Sequence, residues 1–171
     1  MKKIADYTPP RRFLYAIGIA LGVVAGFANS VLDIDMSLRP SLFGWILVSV
    51  IVVVAAHECT HGAIAALLGH KPLFGLRPPL IYITFKGKLP RGHLIVVAIA
   101  PFVVLDLLFG CLYQRGVLKL FSDLCLIINS IGSMADIWVV FKLIGAPKGA
   151  WIQDTKTGFE VWVADEAGKP D

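Results

Sequence analysis

Residues 53–65 read Val53-Val54-Ala55-Ala56-His57-Glu58-Cys59-Thr60-His61-Gly62-Ala63-Ile64-Ala65, so an apolar run carries two histidines and one glutamate. This run lies inside the longer apolar segment 42–68, whose length predicts a membrane-spanning helix. In a helix of 3.6 residues per turn, side chains four positions apart lie on the same face. We therefore expect the imidazoles of His57 and His61 to lie one above the other, with Glu58 flanking them.

The spacing of these three residues is that of the H-E-x-x-H motif, in which two neutral imidazoles hold Zn²⁺ and the glutamate is the general base. A charged side chain at the centre of an apolar helix costs roughly 2.5–3.5 kcal/mol on insertion scales, so an ionisable cluster there needs a partner. The sequence thus predicts one catalytic zinc ion, held by His57 and His61, with Glu58 as a catalytic residue. The alternative is a polar cluster that hydrogen-bonds neighbouring helices and binds no metal.

The composition indicates a membrane protein. Of the 171 residues, 57% are hydrophobic and 16% are charged, and the mean hydropathy is +0.75. These values exclude an ordinary soluble domain. The net charge of +4 comes mainly from basic residues between the apolar runs and near the N-terminus. This pattern is typical of basic residues in the loops of a membrane protein, so we expect no nucleic-acid partner.

Four apolar runs predict an all-α polytopic membrane protein with about four transmembrane helices, at about 13–32, 42–68, 94–113 and 117–144. They form one predicted membrane-embedded core over residues 1–145. Residues 146–171 are more polar and alternate over 151–163, which predicts a short tail with a β-hairpin. Basic residues are concentrated before the first run and in the segment 69–93, so the positive-inside rule places both termini in the cytoplasm.

A short β segment is predicted at Leu80–Phe85, within the basic cytoplasmic segment. This stretch is rich in aromatic and β-branched residues and is bounded by Pro79 and Gly87. One interpretation is a loop that lies on the membrane surface. The other is an edge strand beside the metal site, to which an unwound substrate adds by backbone pairing.

A catalytic zinc site commonly has three protein ligands, so His57 and His61 need one more donor. At about 1.5 Å per residue, His61 lies about 10 Å and Asp136 about 12 Å inside the cytoplasmic ends of their helices, whereas Asp106 lies at about 18 Å. Asp136 is therefore the predicted third ligand, and Asp106 is the reserve. Asn129 lies two turns before Asp136 on nearly the same face. It either acts as a catalytic residue, by hydrogen-bonding a substrate strand or the oxyanion, or makes ordinary interhelical hydrogen bonds.

The chain resembles the small zincin peptidases of prokaryotic membranes in three places: His57-Glu58-Cys59-Thr60-His61, the segment around Pro78-Pro79, and the set Asn129, Ser133 and Asp136. More remotely it resembles the site-2 protease clan of intramembrane zinc metalloproteases. The resemblance extends over about residues 42–158 and implies an integral protein of a prokaryotic cell membrane, with Asp136 at the position of the late aspartate ligand. The chain differs from the site-2 pattern because Ser133-Met134-Ala135-Asp136 replaces an Asn-Pro-Asp-Gly sequence.

These observations predict a zinc metalloendopeptidase that hydrolyses peptide bonds of membrane-associated substrates, within the bilayer or at its surface. The expected partners are a peptide or transmembrane protein substrate and the lipid bilayer. In the predicted reaction, Glu58 takes a proton from the attacking water and later delivers it to the leaving amine. The alternative function is that of a non-proteolytic membrane protein, which uses the same metal site to bind a partner or to transport an ion.

Overall fold

The computed structural model describes residues 1–10, 12, 16, 40–77, 80–155 and 158–165. The helices in this part are α1 (Pro40–Leu67), α2 (Arg91–Gln114), α3 (Lys119–Gly132) and α4 (Met134–Ile144). The strands are β1 (Lys2–Tyr7), β2 (Pro72–Arg77), β3 (Leu80–Phe85), β4 (Lys88–Pro90), β5 (Trp151–Thr155) and β6 (Gly158–Val163). The first predicted span, 13–32, lies outside the described residues apart from Ala16.

Three described segments are long and apolar enough to cross a membrane: Leu42–Leu67, Arg91–Gln114 and Lys119–Ile144. Large hydrophobic side chains along α1 and α2 are exposed; Phe43 is 71% and Leu107 is 65% accessible. Contiguous apolar surface of this kind is rare on soluble monomers, whereas lipid tails solvate it readily. The helices are therefore consistent with a membrane protein.

The prediction of an all-α protein with about four spans is wrong. The described residues form two β-sheets as well as helices, and three segments among them qualify as spans. The larger sheet pairs strands from opposite ends of the chain, with Lys2 opposite Val163 and Tyr7 opposite Phe159. Which distant segments pair with each other is not visible in a local sequence pattern, whereas the apolar runs of the helices are conspicuous.

The chain divides into two compact units. The sheet unit comprises Met1–Pro9, Thr60–Ala100 and Ala135–Asp171, and the helical unit comprises Pro10–Cys59 and Pro101–Met134. The boundaries between the units fall after Cys59, inside α1, and after Ala100, inside α2. Each of these two helices therefore contributes residues to both units.

The sheet unit contains a four-stranded antiparallel sheet with the order β1-β6-β5-β4 and a separate β2–β3 hairpin. Gly158, at the start of β6, lies so close to the Tyr7 carbonyl that a Cβ atom would collide with it. The Arg91 side chain donates hydrogen bonds to the last carbonyls of α4, at 2.6 Å to Leu143 O and 3.0 Å to Ile144 O. These bonds cap the helix and fix α4 within the unit. The buried core consists of Leu143, Ala150, Ile152, Phe159 and Val161.

The helical unit packs Val53 of α1, Leu105 and Phe109 of α2 and Cys125 of α3 into a small buried core. Its last helix ends earlier than the predicted span 117–144, because that run consists of the two helices α3 and α4. At the junction, the Ser133 hydroxyl and the Ser133 N–H both donate to the Asn129 carbonyl, each at 2.9 Å. A serine side chain that bonds the carbonyl four residues earlier commonly bends a helix, and here it accompanies the break.

Candidate metal centre

Helix α1 carries the His-Glu motif in its C-terminal half. The helix is continuous from Pro40 to Leu67, so the four-residue spacing places His57 and His61 on one face. His57 is buried, while Glu58 and His61 are partly buried. The helix therefore fixes the two imidazoles relative to each other.

His61 is held in one tautomer by α2. Its Nδ1 lies 2.8 Å from the Val97 carbonyl oxygen, which accepts hydrogen bonds only, so Nδ1 carries the proton. The lone pair then lies on Nε2. This nitrogen is 3.6 Å from Oδ2 of Asp136, which α4 places in its first turn. Within the sheet unit, His61 thus presents its basic nitrogen toward a carboxylate.

His57 is oriented by Asn129, whose amide is fully buried. The Asn129 Nδ2 donates to Pro101 O at 3.1 Å and to Oδ1 of Asp106 at 2.7 Å. Because both of those partners are acceptors, the amide oxygen must face His57, at 3.0 Å from Nδ1. His57 Nδ1 is therefore the donor, and the lone pair of this ring also lies on Nε2.

Asp106 anchors this arrangement within the helical unit. Its Oδ1 accepts from Asn129, and its Oδ2 accepts from the Ser130 hydroxyl at 2.7 Å. A chain of hydrogen bonds thus runs from the carboxylate through the amide to the imidazole. Hydrogen bonds of this kind orient metal-ligating histidines and raise the basicity of the ligating nitrogen.

Asp136 completes a set of three ligand atoms on the face that α1 presents. One atom each from His57, His61 and Asp136 lies within 4.8 Å of the other two. The donors are two imidazole nitrogens in the required tautomer and one carboxylate oxygen, which are the types that catalytic zinc takes from three protein ligands. The residues present therefore fit a zinc ion.

The remaining predicted residues lie in different surroundings. Asp106, the reserve ligand, lies outside the three-residue group and is bonded by Asn129 and Ser130. Asn129 contacts His57 and Asp106, so its predicted role toward a substrate stays a prediction. His70 and His93 pair with each other, at 2.8 Å between Nε2 and Nδ1.

A cavity of about 270 Å³ lies within the sheet unit, and both His61 and Asp136 line it. This volume is far above the roughly 15 Å³ that one water molecule needs. Strand β3, helices α2 and α4 and the β5–β6 hairpin supply the other walls. Their lining residues are mostly apolar and include Ile83, Phe85, Leu94, Val97, Trp138, Val139 and Phe159.

Asp154 of β5 also lines this cavity, and the sequence analysis missed it. Burial raises the pKa of the Asp154 carboxyl, while hydrogen bonds from the Thr84 side chain and the Thr155 backbone oppose that rise. The sequence does contain a signal for this residue. Side chains two apart on a strand share a face, so Asp154 lies on the same side of the sheet as Ile152, which is fully buried.

Residues 50–151, more than half of the chain, match the family described as "Putative zincin peptidase". The chain belongs to this zincin peptidase family. No curated protein and no solved structure matches the chain significantly. The family resemblance predicted from the His-Glu motif is thus confirmed, and the remoter likeness to the site-2 protease clan stays a prediction.

Membership of the zincin peptidase family indicates a metallopeptidase and implies zinc as its metal. The matched residues include His57, His61 and Asp136, which are the three residues whose ligand atoms lie together. Asn129 and Asp106 also fall within the match, whereas Asp154 lies beyond its end.

Proposed function

We propose that the chain is a zinc metalloendopeptidase of the H-E-x-x-H type that hydrolyses peptide bonds of membrane-associated substrates. The observation that carries this proposal is the His57, His61 and Asp136 group, with ligand atoms within 4.8 Å, in a chain of the zincin peptidase family. The hydrogen bonds to Asn129 and to Val97 support it, because both set the tautomer that a metal ligand requires.

In this proposal His57, His61 and Asp136 hold the zinc ion. When bound, zinc supplies Lewis-acid activation of a water molecule and of the scissile carbonyl. The other residues of the chain orient the ligands and move the proton. Asn129 holds the His57 ring through Nδ1, and the Val97 carbonyl does the same for His61.

Glu58 is the proposed general base. Its carboxylate accepts a proton from the attacking water as the new C–O bond forms at the scissile carbonyl. It then gives this proton to the amine nitrogen as the C–N bond breaks, so the carboxylate is regenerated. The helix places Glu58 directly after His57, where it is partly buried.

Strand β3 is the proposed docking edge for the substrate backbone. Among the described residues it pairs with β2 along one side, and its residues Ile83 and Phe85 line the cavity that His61 and Asp136 share. An extended substrate that pairs with the other side of β3, away from the contact between Thr84 and Asp154 of β5, would therefore run beside the metal ligands. An unwound segment of a transmembrane protein or a peptide at the membrane surface would both satisfy this geometry.

The proposed location is a prokaryotic cell membrane, with both termini in the cytoplasm. Three apolar helices and the exposed side chains along them support the membrane assignment. The excess of basic residues in the segment 69–93, which contains no acidic residue, supports the orientation.

Zinc-dependent cleavage by the full chain in lipid nanodiscs tests this function. A library of fluorescence-quenched peptides should be cleaved by the wild-type protein, should resist cleavage after treatment with a chelator, and should be cleaved again when zinc is returned. The Glu58→Gln variant should bind the same amount of zinc but lose cleavage by a factor of about 10²–10⁴, because only the proton acceptor is removed. Cleavage that survives complete removal of zinc, or normal turnover by Glu58→Gln, would contradict the proposal.

A further inference from the structure

The cavity beside His61 and Asp136 combines aliphatic walls with a second carboxylate. Leu94, Val97 and Val139 are among the apolar residues that line it, and Asp154 is the acidic residue contributed by β5. Among the described residues that line this cavity, none is a lysine or an arginine. Its chemistry therefore suits a ligand with an apolar stem and a positive charge.

The Asp154 carboxylate is held in place from two sides. It accepts hydrogen bonds from the Thr84 side chain on β3 and from the Thr155 backbone on its own strand. Two bonds leave acceptor capacity on a carboxylate, which has about four lone-pair sites. A partly buried carboxylate with spare acceptor sites is a favourable partner for an ammonium or guanidinium group.

We propose that this cavity is a specificity pocket for a lysine or arginine side chain of the peptide substrate, with Asp154 as the anion that pairs with the terminal cation. The inference rests on the proposed peptidase function, and it adds the class of side chain that the enzyme selects. The methylene stem packs against the apolar walls, and the charged end reaches Asp154. An acidic residue selects basic side chains in the same way in the trypsin pocket.

The competing occupant is an uncharged apolar side chain. Such a residue would fill the walls equally well but would form no ion pair with Asp154, which would remain an unpaired charge or take up a proton. Asp136 does not provide the same selectivity, because its carboxylate lies within the ligand group. Asp154 is therefore the specificity-determining residue, and Thr84 is its positioning residue.

Binding of matched peptides tests this pocket without requiring hydrolysis. The full chain carrying Glu58→Gln, loaded with zinc in nanodiscs, is titrated into fluorescein-labelled peptides that are acetylated at the N-terminus. Each pair of peptides differs at one position, which is lysine in one and norleucine in the other, so the four-carbon stem is kept and only the ammonium is removed. Further pairs carry the lysine or norleucine at each of the other positions of the peptide in turn. At one position, lysine should bind at least about tenfold more tightly than norleucine, as expected for a charge-assisted hydrogen bond in a partly desolvated site.

The Asp154→Asn substitution in the same background should reduce this preference to within about twofold while the zinc content stays the same. Glu160→Gln is the matched control, because Glu160 lies on the neighbouring strand β6, where it pairs with Lys3 at 3.1 Å. That variant should keep the preference for lysine. Equal binding of lysine and norleucine at every position, or a preference that Asp154→Asn leaves unchanged, would overturn the pocket assignment.

The two proposals fail in distinguishable ways. A wild-type chain that binds no zinc and cleaves no peptide would refute the peptidase function. The comparison of lysine and norleucine peptides, which measures binding and needs no hydrolysis, would still decide whether the cavity selects a cation. A preference that appears only with free N-termini would overturn the side-chain assignment, because the α-ammonium group would then be the cation that Asp154 binds.

Discussion

Asp106 in the helical unit and Asp154 in the sheet unit are both partly removed from water, but their partners differ. Both carboxylate oxygens of Asp106 accept short hydrogen bonds from side chains of α3, each at 2.7 Å. Asp154 is bonded by Thr84 and Thr155 and lines a cavity of about 270 Å³.

These different surroundings indicate different roles for the two carboxylates near the metal site. Asp106 holds the Asn129 amide and the Ser130 hydroxyl, one on each carboxylate oxygen, so its effect passes through Asn129 to the His57 ring. Asp154 lines the cavity that also contains His61 and Asp136, whereas the space that Asp106 lines contains neither of them. We therefore expect changes around Asp106 to alter metal binding and changes at Asp154 to alter substrate choice.

The largest effect in this comparison is expected for Asn129→Ala. This change removes the acceptor of His57 Nδ1 and one donor to Asp106, leaving buried polar groups without these bonds. Zinc affinity should fall about 10–100-fold, as for other residues that orient metal ligands. Stability should fall by about 1–3 kcal/mol, because buried groups become unsatisfied. Competition with a zinc chelator and thermal unfolding measure the two effects.

Ser130→Ala is the matched control for that change. It removes the other donor to Asp106 but leaves the bond from Asn129 to His57 in place. Its zinc affinity should stay close to that of the wild-type protein. An equal loss in both variants would show that Asn129 does not act through the His57 ring.

A smaller effect is expected for Gly62→Ala, next to the motif on α1. An added Cβ would lie 3.0 Å from Ile83 Cδ1 and 3.2 Å from Phe74 Cζ, so the ends of these two side chains of the β2–β3 hairpin would have to move by a few tenths of an ångström. Peptide cleavage should fall several-fold with zinc content unchanged, because β3 is the proposed docking edge. Among the described residues, no atom lies within 4 Å of the Cβ that Gly44→Ala would add on the same helix, so this variant should cleave normally. Equal rates in both variants would argue against docking at β3.

The smallest predicted effect concerns stability and pH at Asp154. Burial raises the pKa of this carboxyl above its ordinary value of 3.8, so the folded chain retains the proton to higher pH than the unfolded chain does. The wild-type protein therefore loses stability as the pH rises from that value through the raised pKa, and Asn at this position does not titrate.

Asp154→Asn should accordingly match the wild-type melting temperature below the ordinary pKa and exceed it at neutral pH. The control is Asp165→Asn, at an exposed position, which should unfold close to the wild-type temperature at neutral pH. A wild-type protein that is more stable than Asp154→Asn at neutral pH would contradict the role of burial.

The two histidines could be predicted from the sequence because one helix determines their relative placement. Helix depth and the family resemblance both predict Asp136 as the third ligand, and the structure places it 3.6 Å from His61. For Asn129 the sequence leaves two roles open, one catalytic and one interhelical. Choosing between these roles depends on Asp106 and Pro101 of another helix, which no spacing in the chain reveals.

The features that the sequence does not predict depend on how the strands pair in the sheets. The hydropathy of the sequence predicts the apolar helices. The position of Asp154 at the cavity depends instead on the pairing of β5 with β4 and β6 and on the contact between Asp154 and Thr84 of β3. The pairing of β5 with β4 and the contact between Asp154 and Thr84 join residues that are far apart in the chain. The all-α prediction failed for the same reason, since β1 finds its partner near the opposite end of the sequence.

Zinc stoichiometry by elemental analysis tests the central claim most directly, on the purified wild-type chain and on Asp136→Asn. Asp123→Asn, which removes an acid of α3 outside the ligand group, is the control. The account predicts one zinc ion per chain in the wild type and in Asp123→Asn, and substoichiometric zinc in Asp136→Asn after dialysis against a weak chelator. A wild-type chain without zinc, or an Asp136→Asn variant that retains zinc as firmly as the wild type, would contradict it.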